Sequence, residues 1–174
     1  MLTDTHAHLA YDSFDGDRRE VIRKSAEAGV RTILIPGTGG ADSIAGARIA
    51  EEYPHIWFAA GWHPSEAAVF DESLLRRLAN HPKCIGIGEI GLDFYRDYNP
   101  RALQEEVFRR QLDMAMELNL PVIIHVREAW EDTLRMMEGY RVRGVFHAFS
   151  GDEDELRWAL ERGYYVGLGG PVTF

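Results

Sequence analysis

The chain has 174 residues, of which 45% are hydrophobic and 27% charged, a composition that excludes disordered, collagen-like and membrane-spanning classes. Its 19 basic and 28 acidic side chains give a formal charge of −9, which argues against a long nucleic-acid tract held on a Lys- and Arg-lined face. A cation that bridges a phosphate is not excluded, because it brings its own positive charge. With the single cysteine Cys84, and no signal-peptide pattern in residues 1–6, we expect a cytoplasmic protein in a reducing compartment.

Short apolar runs recur along the chain and predict seven β-strands. In chain order they cover residues 2–8, 30–36, 57–61, 84–90, 121–126, 144–149 and 164–168. Segments with helical periodicity separate them, with apolar stripes in 74–79, 103–116 and 130–137. The predicted helix boundaries agree with this reading. They are Asn99-Pro100 as an N-cap and first-turn proline, Asp152 with Glu155 as a capping box, and Gly29 and Gly163 at helix C-termini.

The alternation of apolar strands with helices indicates a parallel sheet covered by helices. An open doubly wound sheet and a (β/α)8 barrel both fit that alternation. The barrel is favoured because polar residues follow nearly every strand, at the rim that carries the active site of a barrel, whereas an open sheet gathers them at one crevice. We therefore predict an α/β fold of the (β/α)8 TIM-barrel type, with about seven of the eight units in one domain over residues 1–174.

The first candidate site follows the first predicted strand, in the sequence Asp4-Thr5-His6-Ala7-His8. Alternation along a strand would put Asp4, His6 and His8 on one face. Two neutral imidazoles so placed can bind one divalent cation, with the carboxylate as a third ligand or as a partner of a ligand. A pair of surface or hydrogen-bonded histidines is the alternative, and this motif alone does not exclude it.

Three further polar residues directly follow apolar runs and strengthen the metal hypothesis. Glu89 ends the fourth predicted strand, His125 the fifth and His147 the sixth. A carboxylate or imidazole in such a position is costly to bury unless something pairs with it. Since four imidazoles and one carboxylate exceed one tetrahedral zinc shell, we predict two metal ions with Glu89 as the bridge.

Five motifs, in order, resemble the successive signatures of the TatD-like metal-dependent deoxyribonucleases, a family of amidohydrolase-type barrels. They are Asp4-Thr5-His6-Ala7-His8, Ala60-Gly61-Trp62-His63-Pro64, Gly88-Glu89-Ile90-Gly91-Leu92-Asp93-Phe94, Pro121-Val122-Ile123-Ile124-His125-Val126-Arg127 and Phe146-His147-Ala148-Phe149-Ser150-Gly151. The resemblance implies a divalent-metal-dependent phosphodiesterase that acts on DNA, often from the 3′ end. The metal ligands that it implies are His6, His8, Glu89, His125 and His147.

Four other residues are candidates for substrate contact or positioning, each with a structural alternative. His63 could donate to a substrate phosphate or be a turn histidine. Arg127 could bind a phosphate with both arms of its guanidinium or pair with Glu128. Asp93 could orient a ligand or cap a loop. Trp62, the one tryptophan beside the predicted site, could stack on a base or pack in the core.

The leading functional hypothesis is a hydrolase that cleaves DNA at single strands or frayed ends, with Glu89, His63 and Arg127 as its catalytic residues. The expected cofactors are two divalent ions, Mg²⁺ or Mn²⁺, while the imidazole-rich shell would also accept Zn²⁺. One ion would lie near His6, His8 and Glu89, and the other near Glu89, His125 and His147. The first alternative is hydrolysis of another ester or amide, including the ester of a charged tRNA, because the same metal shell suits it. The second is a metal-binding remnant without turnover.

The last expectation concerns residues 169–174, which follow the seventh predicted strand. Members of the resembled family continue to an eighth strand that ends in an aspartate ligand, and no residue here matches it. A barrel without that strand has two unpaired edges. We therefore expect residues 1–174 to belong to a longer protein of about 250 residues. A chain of 174 residues alone should be feebly active and self-associate unless a partner completes the barrel; no other protein partner is predicted.

Overall fold

The structure is a computed structural model that describes residues 2–169, so residues 170–174 of the predicted C-terminal feature lie outside the described residues. Seven strands form one sheet in the order of the chain, with helices between them. The strands are β1 Leu2–Asp4, β2 Val30–Pro36, β3 Ile56–Ala60, β4 Cys84–Asp93, β5 Val122–Arg127, β6 Gly144–Phe146 and β7 Tyr165–Val166. The α-helices are α1 Arg18–Glu27, α2 Gly40–Glu52, α3 Glu72–Ala79, α4 Arg101–Leu118, α5 Trp130–Met137 and α6 Glu153–Glu161. Two 3₁₀ helices cover Asp12–Phe14 and Pro64–Val69.

All neighbouring strands pair in parallel, and their spatial order follows the sequence without reversal. A doubly wound sheet would reverse its order at a switch point, so this topology excludes that alternative. The sheet is curled: the rings of His6, after β1, and His147, after β6, stack with centroids 3.4 Å apart. The predicted TIM-barrel architecture is therefore confirmed, with seven βα-type strands in the described part of the chain.

Strand β4 is the buried centre of the sheet and carries Glu89. Its register with β5 shifts between Ile87 and Ile90, and such bulges change the direction in which a side chain points. Glycine is required nearby. A Cβ atom on Gly88 would lie 2.6 Å from the Cβ of Ile123, and Gly91 has a φ of +144° with the carbonyl of His125 against it. Small residues at these two positions let β4 and β5 approach closely on both sides of Glu89.

Four of the predicted strands end earlier in the structure than the sequence indicated, and two of them, β1 and β6, carry the site residues that follow them. Strand β1 ends at Asp4, so His6 and His8 follow it and strand alternation does not place them. Strand β6 ends at Phe146, one residue before His147. The prediction that Asp4, His6 and His8 share a strand face was wrong; Asp4 is exposed and accepts a hydrogen bond from the His6 backbone N–H at 3.0 Å.

The predicted helix boundaries are confirmed with one exception. The capping box of Asp152 and Glu155 is formed, and Gly29 and Gly163 have positive φ after their helices. Asn99 is not an N-cap, because Pro100 occupies that position. The Asn99 side chain is buried and satisfies its amide elsewhere. Within residues 2–169, no helix combines the length and apolar character needed to cross a membrane.

Candidate metal centre

A cavity of about 620 Å³ opens at the carboxyl ends of the strands. Its lining includes seven of the residues that the sequence singled out for chemistry, which are His8, His63, Glu89, Asp93, His125, Arg127 and His147. His6 is not one of the lining residues, but its Nε2 atom lies 3.2 Å from Oε2 of Glu89. The curled sheet thus brings the predicted ligands, together with His63 and Arg127, to one place, as barrel geometry requires of strand ends.

Glu89 lies at the centre of the cluster and is only 4% exposed. Its Oε1 accepts a hydrogen bond from His125 Nδ1 at 2.9 Å, while its Oε2 lies 3.2 Å from His6 Nε2 and 3.5 Å from His8 Nε2. Burial by itself would raise the pKa of Glu89, but hydrogen bonds from His125 and His6 outweigh it and hold the pKa well below its usual range. The carboxylate is therefore ionised and shared between imidazoles on two sides.

The first group of ligand atoms combines His6, Glu89 and His147, whose donor atoms lie within 4.8 Å of one another. His8 joins this group, since its Nε2 is 3.1 Å from the Nε2 of His6. Burial, followed by the neighbouring His6, lowers the pKa of His147 to about 4. A neutral imidazole is the form that binds a metal. At neutral pH, His147 is therefore in the protonation state of a ligand.

The second group combines His63, Glu89 and His125, again within 4.8 Å. Burial, together with His125 nearby, lowers the pKa of His63 to about 4, so this ring is also neutral. The Ser65 backbone N–H donates to His63 Nδ1 at 3.1 Å. Because that nitrogen accepts, the neutral ring carries its proton on Nε2. His63 is therefore arranged as a hydrogen-bond donor rather than as a ligand.

The donor set fits divalent cations. Ligands held at about 2.1 Å from one ion stand about 3.0 to 3.4 Å apart. The 3.1 Å between His6 and His8 and the 3.2 Å between His6 and Glu89 fall in that range. The sequence predicted that His147 and His125 would hold the same cation. In the structure His147 lies in the group of His6 instead.

Asp93 and Arg127 lie beside the second group. Asp93 is buried, with one carboxylate oxygen 3.4 Å from His125 Nε2 and the other accepting the backbone N–H groups of Tyr95 and Arg96 at 3.1 Å each. The two backbone contacts cap the loop after β4, which is one of the two roles considered for Asp93; orienting a ligand stays a prediction. The Arg127 guanidinium lies 3.9 Å from the centroid of the Tyr95 ring and makes no ion pair within residues 2–169.

Trp62 does not face the substrate cavity. It is 2% exposed, packs against Phe70 and donates from Nε1 to the Val69 carbonyl at 3.2 Å. Of its two interpretations, core packing is correct. The exposed aromatic side chains beside the site are instead Tyr11, Tyr95 and Tyr98.

Sequence reasoning missed a set of buried amides that fix the loops around the site. Gln104 and Gln111 of α4 are buried. Gln104 bonds backbone atoms of Asp93, the last residue of β4, and Gln111 bonds those of Trp62, just after β3. The available signal was their spacing. Both lie within the apolar stripe of α4, where a polar side chain must find a buried partner. Tyr11, which stacks on His8 at 4.6 Å, was also missed and has no comparable signal in the sequence.

Comparison with known proteins places the chain in a family. The family model "TatD related DNase" matches residues 3–174. The "Uncharacterized metal-dependent hydrolase YabD" of Bacillus subtilis is 39% identical over 180 residues, covering 100% of this chain and 71% of the relative. The "3'-5' ssDNA/RNA exonuclease TatD" of Escherichia fergusonii is 35% identical over 177 residues, covering 98% and 68%.

Solved structures agree with the sequence relatives. The crystal structure of YJJV, a TatD homologue from Escherichia coli K12, superimposes with a TM-score of 0.92 at 29% identity, over 99% of this chain and 70% of that one. A TatD family hydrolase from Entamoeba histolytica gives a TM-score of 0.88 at 25% identity, over 97% and 64%. Together with the cluster of imidazoles around Glu89, these matches show that the chain belongs to the TatD-related DNase family of metal-dependent hydrolases.

Proposed function

We propose that the chain hydrolyses phosphodiester bonds of DNA from the 3′ end of single strands or frayed duplexes, with two divalent cations. The observation that carries this proposal is the ionised Glu89 carboxylate, shared between two groups of imidazoles at the barrel mouth. Relatives at 35% identity are named 3′–5′ exonucleases of single-stranded DNA and RNA, which supports the substrate class.

The residues that would hold the cations are His6, His8 and His147 on one side and His125 on the other, with Glu89 between them. Mg²⁺ or Mn²⁺, with Zn²⁺ as the alternative, would lower the pKa of a water molecule and offset negative charge on the phosphate. Glu89 keeps its charge near neutral pH because its pKa is lowered, and Asp93 positions His125 from the outer side.

His63 and Arg127 act on the substrate itself. The Nε2–H of the neutral His63 donates a hydrogen bond to a phosphate oxygen or to the oxygen that leaves, since Ser65 occupies its other nitrogen. Arg127 lines the same cavity and presents its guanidinium to an adjacent phosphate. The net charge of −9 disfavours binding of a long nucleic-acid tract through its phosphates. Binding at strand ends is therefore favoured over binding along a continuous duplex.

The test is a single-stranded oligonucleotide labelled at the 3′ end in one sample and at the 5′ end in another. With Mg²⁺ or Mn²⁺, the 3′ label should be released as a mononucleotide at once, while the 5′ label should shorten stepwise. EDTA should abolish both reactions. Undiminished cleavage in EDTA contradicts the proposal, and so does hydrolysis of p-nitrophenyl acetate without cleavage of any phosphodiester.

A further inference from the structure

The loop that follows β4 carries two exposed tyrosines next to the cavity. Tyr95 is 56% exposed and Tyr98 is 60% exposed, although most aromatic rings of the described chain are buried or half-buried. Each ring is paired with a guanidinium. Arg127 lies 3.9 Å from the Tyr95 centroid, and Arg96 lies 5.7 Å from that of Tyr98 while donating to its hydroxyl at 2.8 Å. Aromatic and cationic groups therefore alternate along this rim.

Buried groups hold this loop at both of its ends. At the start, the Asp93 carboxylate accepts the N–H groups of Tyr95 and Arg96. At the far end, the amide of Asn99 donates to the carbonyls of Pro64 and Ser65 at 2.9 and 2.8 Å. These bonds are buried or partly buried, and they fix the backbone that carries the tyrosines. A ligand that uses the rings does not have to order the loop first, which favours binding.

Buried Gln104 joins the two ends of the loop. Its Nε2 donates to the carbonyls of Asp93 and Asn99 at 3.1 and 2.9 Å, and its Oε1 accepts the Asp93 N–H at 3.0 Å. The same loop is tied to the metal centre, because Asp93 lies 3.4 Å from His125. Arg96, Tyr98 and Arg127 line the cavity that also contains Glu89 and His63. A nucleotide next to the reacting phosphate would therefore meet this rim.

Tyrosine rings and arginine guanidinium planes stack on any unpaired base, and guanidinium groups also bind the phosphates between bases. Bases inside a duplex already stack on one another and are not available to such a surface. We propose that Tyr95, Tyr98, Arg96 and Arg127 form a stacking platform that binds unpaired nucleotides flanking the cleaved bond and selects single strands. This inference rests on the proposed function and names the part of the substrate that the chain recognises.

The first experiment measures binding without turnover. Fluorescence anisotropy in EDTA compares a labelled oligothymidylate with a strand of equal length whose bases are absent. The wild-type chain should bind the base-bearing strand at least about fivefold more tightly, the lower end of stacking on one aromatic ring. Tyr95→Ala and Tyr98→Ala should remove that preference, whereas Tyr95→Phe and Tyr98→Phe should keep it. Tyr165→Ala is the matched control, because Tyr165 is 76% exposed and lines a different cavity.

Equal affinity of the wild-type chain for the two strands, or full preference retained in both alanine variants, would overturn the platform. A second measurement separates this outcome from failure of the proposed function. With Mn²⁺ present, KM for the oligothymidylate should rise about fivefold or more in Tyr95→Ala. Hydrolysis of the strand with unchanged KM rejects the platform alone. If neither the strand nor bis(p-nitrophenyl) phosphate is hydrolysed while the preference for base-bearing strands persists, the proposed nuclease function alone is rejected.

Discussion

Glu89 is the residue on which both imidazole groups converge, and its replacement is the most direct test of the centre. Glu89→Gln removes the negative charge and replaces one oxygen by an amide group that can only donate. We expect kcat on single-stranded DNA to fall at least about 100-fold and metal affinity to weaken. Steady-state kinetics at saturating Mn²⁺ and equilibrium dialysis check the two effects.

The matched control for Glu89→Gln is Glu66→Gln. Glu66 lines the same cavity but belongs to neither imidazole group. Its variant should retain the wild-type kcat within about twofold, the range of surface substitutions. A Glu89→Gln variant with near-wild-type turnover would show that Glu89 does not bridge two ions.

His63 and His147 make the metal-free protein sensitive to acid. The pKa of each is about 4 in the folded chain, below the ordinary value of 6.5. Between those values the unfolded chain binds more protons, so the contribution of these rings to stability is present above about pH 6.5 and is lost as the pH falls towards 4. Acidification should therefore lower the free energy of unfolding.

Urea denaturation in EDTA at about pH 7 and about pH 5 measures that loss, since the two conditions bracket the range in which the unfolded rings become protonated. In His63→Asn the decrease between the two conditions should be smaller, because one of the rings that the fold holds neutral is gone. Identical pH dependence in the wild type and the variant would mean that His63 is not held neutral by the fold.

At the scale of the element, helix α4 shows how far the sequence predicts the structure. Its apolar stripe predicts the helix over 103–116, and the helix spans Arg101–Leu118. The direction in which Gln104 and Gln111 point could not be predicted, because their partners are backbone atoms of distant loops. Strand β1 is a second case in which the sequence predicts a contact but not the local structure that makes it. His6 and His8 meet as expected, but the turn after Asp4 brings them together rather than strand alternation.

Gln104 allows a test of the buried amides. In Gln104→Met, the N–H and carbonyl of Asp93 and the carbonyl of Asn99 lose their partner inside the protein. Stranding buried polar groups costs about 1 to 3 kcal/mol each when water cannot replace the bond. We expect a loss of about 2 to 4 kcal/mol in the free energy of unfolding, measured by urea denaturation.

Arg109→Met, an exposed position of the same helix, provides the comparison. Substitutions at such sites change stability by about 0.5 kcal/mol or less. If Gln104→Met were as stable as Arg109→Met, the amide would not hold the loop after β4, and the support for a fixed platform would disappear.

At the scale of the whole molecule, the net charge of −9 limits how DNA can be held. Arg96 and Arg127 are the two guanidiniums that line the cavity. Two neutralised phosphates on a single strand predict a slope of about −1.4 for log affinity against log salt concentration. Anisotropy titrations of oligothymidylate in EDTA over a range of KCl concentrations measure it.

Charge-removing variants sharpen the salt measurement. Arg96→Gln together with Arg127→Gln should bring the slope close to zero, while Arg109→Gln, outside the cavity lining, should leave it unchanged. A slope steeper than about −4 would require a basic binding face with several more phosphate contacts. That result would contradict recognition confined to the mouth of the barrel.

The barrel type could be predicted from the polar residues after each strand, but the grouping of the ligands could not. Which imidazole lies near which depends on the curl of the sheet, and this is a property of all the strands together. In the structure the curl stacks His147 on His6, while the bulge in β4 points Glu89 between the two groups. The curl leaves no local mark on the sequence, and Gly88 and Gly91 mark a close approach of strands without saying where Glu89 points.

The stacked pair of His6 and His147 joins the beginning of the described chain to the end of its sixth strand. A nascent or partly folded chain lacks that pair, since six strands must be in register before the two rings meet. Cation uptake at this place would therefore report that folding has passed its slow, long-range stage. Because the stabilisation by a ligand that binds only the folded chain grows with the logarithm of the ligand concentration, cation supply would also raise the free energy of unfolding.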